Sequence, residues 1–247
     1  MSNDAFFFDV SDTVGAVVGR QPALSRVFER AGIDYCCGGK KTLERACQEK
    51  GLDATTLLES LRREADALSG GQAHRGVASL SLSDLADHIE STHHEYLRSE
   101  LPRLSAMTQK VASVHGDRDA RLALVRDTFL EMASELETHM MKEERILFPM
   151  IRECDASEGP MAFHCGSLAN PIRQMEAEHD GAGSGLERLR ELTDGYAPPE
   201  WACNTYRAML DGLTRIEDDL HEHISKENNI LFPRAIEMEQ TKAQREP

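Results

Sequence analysis

The chain is poor in what several protein classes require. None of its 247 residues belongs to an apolar run near the ~20 needed to span a bilayer. Its first residues, Met-Ser-Asn-Asp-Ala-Phe-Phe-Phe-Asp, lack the basic and long apolar stretches of a secretory signal. Positive charge is short, with 28 Lys and Arg against 43 Asp and Glu, a formal net charge of -15. That balance argues against nucleic-acid and anionic-membrane partners, which need a basic face. Six cysteines without regular spacing do not make a disulfide framework, so the expected compartment is a reducing cytoplasm. No stretch alternates apolar and polar residues as a half-buried strand does, and the expected class is all-α.

Glycine and proline punctuate what is present. The stretch Ser69-Gly70-Gly71-Gln-Ala-His-Arg-Gly76-Val-Ala-Ser79 is small, polar and aperiodic. It marks residues 70–80 as a linker between a small helical domain, 1–69, and a larger one, 81–240. In the first, Pro22 suits the opening turn of a helix ending near Gly32, and Asp53 can cap another carrying Leu57, Leu58, Leu61, Ala65 and Leu68. In the second, four long helices are expected. They begin near Ser83 (with a kink at Pro102), after Asp117, at Asn170-Pro171 and near Pro199.

One phrase occurs twice. Residues 139–149 and 223–233 both read H-x-x-K-E-x-x-I-L-F-P, so His139/Glu143 and His223/Glu227 each stand one helical turn apart on one face. The second helix of the four has the seam Leu122, Val125, Phe129, Met132, Leu136, His139, Glu143, Ile146, Met150, and the fourth has Met209, Leu213, Ile216, Leu220, His223, Glu227, Ile230. In both, His and Glu occupy places that call for apolar residues. The third helix runs Leu168, Ile172, Met175, His179, Ala182, Leu186, Leu189. In the first helix, His94 rather than His93 matches it, because Leu97, Leu101 and Leu104 repeat the offsets of Ala182, Leu186 and Leu189. An up-down bundle built by duplicating a helical hairpin accounts for all four seams.

The converging set is then His94, His139, Glu143, His179, His223 and Glu227. An ionised Glu in a seam needs a compensating partner, and two facing each other repel unless protonated or joined by cations. Four imidazoles and two carboxylates suit two divalent ions, each with two histidines and both glutamates bridging. With no thiolate in the seam, iron is favoured over manganese or zinc, and coordination positions stay open for a small molecule. A ferritin-like alternative would use Glu90-x-x-His93 and Glu176-x-x-His179 with Glu143 and Glu227. It leaves His139 and His223 idle. Glu135 and Asp219, one turn before His139 and His223, are candidates for orienting ligands or relaying protons.

These motifs resemble hemerythrin-like domains. Unlike the oxygen carriers, the chain has Met175 and Gly183 one turn either side of His179. It resembles more closely the RIC family (repair of iron centres, of the YtfE, ScdA and NorA types). The likeness rests on Asp34-Tyr35-Cys36-Cys37-Gly38-Gly39-Lys40, His139-Met-Met-Lys-Glu-Glu and Glu227-Asn-Asn-Ile-Leu-Phe-Pro, and covers nearly the whole chain. The resemblance implies a hemerythrin-like four-helix bundle behind an ScdA-type N-terminal domain. It also implies two non-haem irons and iron delivery to iron–sulfur proteins damaged by nitric oxide or oxidants. Reduction of nitric oxide to nitrous oxide, or plain binding of nitric oxide or oxygen, are the alternatives, and a homodimer stays open. The vicinal Cys36 and Cys37, before Gly-Gly, suggest an exposed turn whose thiols give electrons or pass iron. Cys47, Cys154, Cys165 and Cys203 suggest no chemistry, and neither do His74, His88, His93, His115, His164 and His221.

Overall fold

The computed structural model describes residues 8–69, 77–161 and 163–244. Residues 70–76 of the expected linker, His74, the side chain of Leu68 and the first seven residues lie outside these. Among the described residues there is no strand beyond isolated bridges at Thr13/Thr42 and Phe163/Gly166.

The N-terminal part is made of short helices with clear stops. Helix α1 (Val14–Arg20) is capped by Thr13, whose Oγ1 accepts from Ala16 N at 3.2 Å. A 3-10 turn at Pro22–Leu24 leads into α2 (Ser25–Ala31), which ends at Gly32 with φ 64°, a conformation glycine adopts without penalty. Helix α3 (Leu43–Lys50) is capped by Thr42 and ended by Gly51. Asp53 starts α4 (Ala54–Ser69) by accepting from Thr56 N at 3.0 Å. Leu57, Leu58, Leu61 and Ala65 face inward on Val17, Leu24, Phe28 and Leu43, so these short helices share one core.

The larger part contains α5 (Leu82–Ile89), α6 (Glu95–His115), α7 (Arg121–Lys142), α8 (Phe148–Ala156), α9 (Ala169–Leu192), α10 (Asn204–Lys226) and α11 (Phe232–Ala243). Single π turns at Glu90–His94, Glu143–Leu147 and Glu227–Leu231 join α5 to α6, α7 to α8 and α10 to α11. Four long rods result, with α6 packed on α7 and α10, and α7 packed on α9. Two apolar clusters fill the interior. One is built from Leu97, Leu101, Phe129, Leu136, Leu186, Ile216 and Leu220, the other from Leu85, Ile89, Phe148, Ile151, Ile172, Met175 and Phe232. The four seams place His94, His139, His179 and His223 at the change from one cluster to the other.

Two sequence expectations need correction. The fourth rod starts at Asn204, because Pro199 O is taken by Ala202 N in a turn and Cys203 precedes the first helical residue. The first rod widens into a π turn at Glu90–His94, and α6 runs on through Pro102 without ending there, as expected. Ile146, assigned to the seam, is 48% exposed, and Leu147 is buried in its place. The equivalent Ile230 is buried at the same point of the second copy, so the π turn that both copies share does not account for the exposure of Ile146.

Candidate metal centre

All six seam residues meet in one layer. His94 and His223, with Glu143 and Glu227, bring their ligand atoms within 4.8 Å of one another; so do His139 and His179 with the same two glutamates. The π turns contribute to this. Glu143 and Glu227 each open one and His94 closes the third, so the wide turns lie where the side chains must converge. Both glutamates are 0% exposed, and none of the four histidines is more than 3% exposed.

The contacts within the layer are close but poorly suited to hydrogen bonding. His94 Nε2 and His139 Nε2 stand 3.4 Å and 3.3 Å from Glu143 Oε2. His179 Nε2 and His223 Nε2 stand 3.1 Å and 3.2 Å from oxygens of Glu227. Yet all four carboxylate oxygens lack a hydrogen-bond partner, as do His94 Nε2 and His223 Nε2. His139 Nε2 and His179 Nε2 face each other at 3.1 Å. Neighbouring donors on one ion with bonds of about 2.1 Å lie about 3 Å apart, so these spacings fit shared cations. Burial opposes ionisation of both carboxylates, but the imidazoles outweigh it, holding Glu143 below the usual carboxylate range and Glu227 well below it. Burial likewise works against a charged His139, but Glu143 pushes it up to about 9. At His223 burial prevails and the shift is downward. The layer thus carries two buried, ionised carboxylates and accepts positive charge.

Outside the layer, three imidazoles are held by their far nitrogen. His94 Nδ1 donates to Glu144 Oε1 at 2.6 Å, His139 Nδ1 to Glu178 Oε2 at 3.0 Å and His179 Nδ1 to Asn228 Oδ1 at 2.9 Å. Each bond fixes the tautomer that leaves Nε2 free to ligate. His223 Nδ1 has no such partner. Instead the buried ring of His93 lies flat against it, centroids 5.2 Å apart, with His93 Nδ1 donating to Asp219 and Nε2 accepting from Lys226 at 2.7 Å. His93 is therefore part of the wall, and Asp219 acts on His93 rather than on His223. The sequence reading missed Glu144, Glu178, Asn228 and Lys226. Glu144, Glu178 and Asn228 each adjoin a seam His or Glu in sequence, which is the signal they offer.

The ferritin-like alternative fails on geometry. Glu90 is engaged by Arg152 at 2.7 Å and Glu176 by Lys40 at 2.9 Å, both outside the layer. Glu135 lines a cleft of about 410 Å³, together with His139, Lys142, Glu178 and His179, which opens toward one half of the centre.

The cysteine turn is seated on the bundle rather than exposed. Cys36 is buried and Cys37 half-buried, with their sulfurs 3.8 Å apart. Asp34 Oδ1 accepts from both backbone amides at 3.0 Å. The contact with Cys37, followed by burial, pushes the Cys36 thiol far up, so it stays protonated. Cys37 Sγ is 3.6 Å from the carbonyl of His179.

Comparison with known proteins returns a cation-binding family for the part of the chain that holds this layer. The family described as the Hemerythrin HHE cation binding domain matches residues 85–235, and ScdA_N, a domain of unknown function (DUF542), matches 10–65. An iron-sulfur cluster repair protein YtfE of Enterobacter sp. (strain 638) is 39% identical over 90% of this chain and 96% of its own. One from Escherichia coli O17:K52:H18 is 40% identical over 87% of this chain and 92% of its own. The chain belongs to the YtfE family, the RIC family named above. The likeness runs through both the bundle and the N-terminal helices; the fold is hemerythrin-like, and the family together with the buried His and Glu clusters points to a metal-binding site suited to iron. Among the described residues no helix is long and apolar enough to cross a membrane.

Proposed function

We propose that this chain is a di-iron protein that restores iron–sulfur clusters damaged by nitric oxide or oxidants by donating iron to them. In this reading Glu143 and Glu227 bridge two irons, His94 and His223 hold one, and His139 and His179 hold the other. The observation that carries it is the set of four buried carboxylate oxygens without hydrogen-bond partners, each within reach of imidazole Nε2 atoms. Several kcal/mol would be forfeited by leaving such carboxylates without a compensating charge. The name of the YtfE relatives supports the repair role. We assign residues 1–69 and 81–240 to two units joined by 70–80, and place the protein in the cytoplasm.

Bound iron would supply redox change and open positions for nitric oxide or oxygen. The chain's residues do the rest. Glu144, Glu178 and Asn228 orient the imidazoles, while the apolar clusters above and below exclude water from the layer. The cleft beside His139 and His179 offers a path in and out, and Cys37 lies against the helix that carries His179. Cys36 and Cys37 are the proposed thiols for electron or iron transfer to acceptor proteins.

The test is a transfer assay. Purified protein should carry about two irons per chain, and Glu143→Ala or Glu227→Ala should sharply lower this. Reduced holo-protein mixed with a cluster-depleted acceptor should restore the acceptor's activity. Catalytic nitrous oxide formation without recovery would replace donation by nitric oxide reduction. Binding of the gas with neither outcome would leave a buffering protein.

A further inference from the structure

Asn228 has both ends of its amide committed, and to different parts of the chain. Its Oδ1 accepts from Nδ1 of buried His179 at 2.9 Å, and its Nδ2 donates to the carbonyl of Cys36 at 3.1 Å. The next residue grips the same turn, with Asn229 Nδ2 donating to Tyr35 O at 2.9 Å and to Ser225 Oγ at 3.0 Å. Around Asn229 the N-terminal helices have glycine where they touch. A Cβ on Gly15 or Gly39 would stand 2.3 Å or 2.4 Å from Asn229 Oδ1, and one on Gly19 2.7 Å from its backbone oxygen. The interface is therefore built for backbone to approach Asn229 closely. Lys40 and Glu176 close its edge with an ion pair at 2.9 Å.

We propose that Asn228 is a positioning residue that couples seating of the Cys36-Cys37 turn to the hold of His179 on metal. While the turn is seated, the Cys36 carbonyl fixes one end of the amide and so aims the other at His179. When the turn leaves, the amide is free to rotate and hydrate, and His179 loses the bond that orients its ring. Partners of this kind are worth about ten- to a hundredfold in metal affinity. The link is reciprocal, since whatever factor seating adds to metal affinity, metal adds to seating. An acceptor protein that draws the cysteine turn away would thereby loosen the metal at the moment of transfer. This inference rests on the metal-centre reading above.

The experiment uses the full chain and Co(II) as the probe, followed by its visible absorption in competition with a chelator. Gly39→Val forces Asn229 aside without touching Asn228, and Gly19→Ala is the second choice should that variant not fold. Either should raise amide hydrogen exchange at residues 35–40 and weaken Co(II) binding about tenfold or more. In an Asn228→Leu background the same glycine change should cause no further weakening. Co(II) should slow exchange at residues 35–40 in the unaltered chain and not in Asn228→Leu. Undocking shown by exchange, with Co(II) affinity unchanged, would overturn the coupling. Equal weakening with and without Asn228 would overturn it as well, by removing that residue from the path. If the unaltered chain takes up no Co(II), the metal-centre reading falls first and this inference falls with it.

Discussion

Because each glutamate belongs to both groups of ligands and each histidine to one, substitutions should differ in how much metal-dependent stability they remove. An ion that binds only the folded state adds about 2.7 kcal/mol when its free concentration is about 100-fold above Kd. Two ions then add about 5 kcal/mol, which for a chain of this length corresponds to about 10–20 °C in Tm. Removing His94 takes a ligand from one group, and removing Glu227 takes one from both. His94→Ala should therefore keep about half of the metal-dependent rise in Tm, whereas Glu227→Ala should lose nearly all of it. Each variant is compared with itself, loaded against chelated, so the cost of the cavity left by the substitution cancels. Differential scanning calorimetry at fixed free Fe(II) under anaerobic conditions reads the two rises. Sharing of the carboxylates is refuted if Glu227→Ala keeps as much as His94→Ala, and the metal centre itself if the unaltered chain melts alike loaded and chelated.

Glu144→Ala removes the acceptor for His94 Nδ1, and should weaken metal binding about ten- to a hundredfold by chelator competition, beyond the loss of about 1–3 kcal/mol in metal-free stability from leaving that buried N–H unpaired. His93→Leu should disturb the visible spectrum of the Co(II)-loaded protein, since the ring that lies flat on His223 is replaced; an identical spectrum would make His93 filler only. Cys36 has its pKa raised from 9.0, so it stays a thiol in the folded chain where the unfolded chain would ionise. Its contribution to stability is full below about pH 9 and is lost as pH rises beyond that. Iodoacetamide at pH 8 followed by mass spectrometry should accordingly spare Cys36 in the folded protein and label it after denaturation. Labelling of the folded protein at the denatured rate would contradict its burial.

The helical period carried most of the fold and the convergence of the six side chains, because a ligand in a bundle must occupy a core position and displaces an apolar residue there. Register separated His94 from His93 for the same reason. What surrounds the layer was much harder to read. Glu144 and Glu178 sit about 100° around their helices from the seam, where an acid looks like any solvated one until the neighbouring rod is in place. His93 looked idle because the π turn that swings it inward has no compositional mark. The helical period placed Ile146 and Ile230 alike in their seams, and only Ile230 is buried. Seating of the cysteine turn was equally hidden, depending as it does on Asn228 reaching the Cys36 carbonyl and Asn229 meeting glycines, all about 190–215 residues away.

The π turns also show where the two halves of the bundle agree and where they differ. They stand at the same place in both copies of H-x-x-K-E-x-x-I-L-F-P, opening on Glu143 and on Glu227. Each adds a residue where its glutamate enters the layer, so the two halves present their carboxylates in the same way. The turn at Glu90–His94 has no counterpart in α9, which runs unbroken from Ala169 to Leu192. That difference leaves one half with a second buried histidine, His93, and the other with an unbroken helix against which Cys37 can rest, so the metal layer has a histidine wall on one side and a thiol on the other.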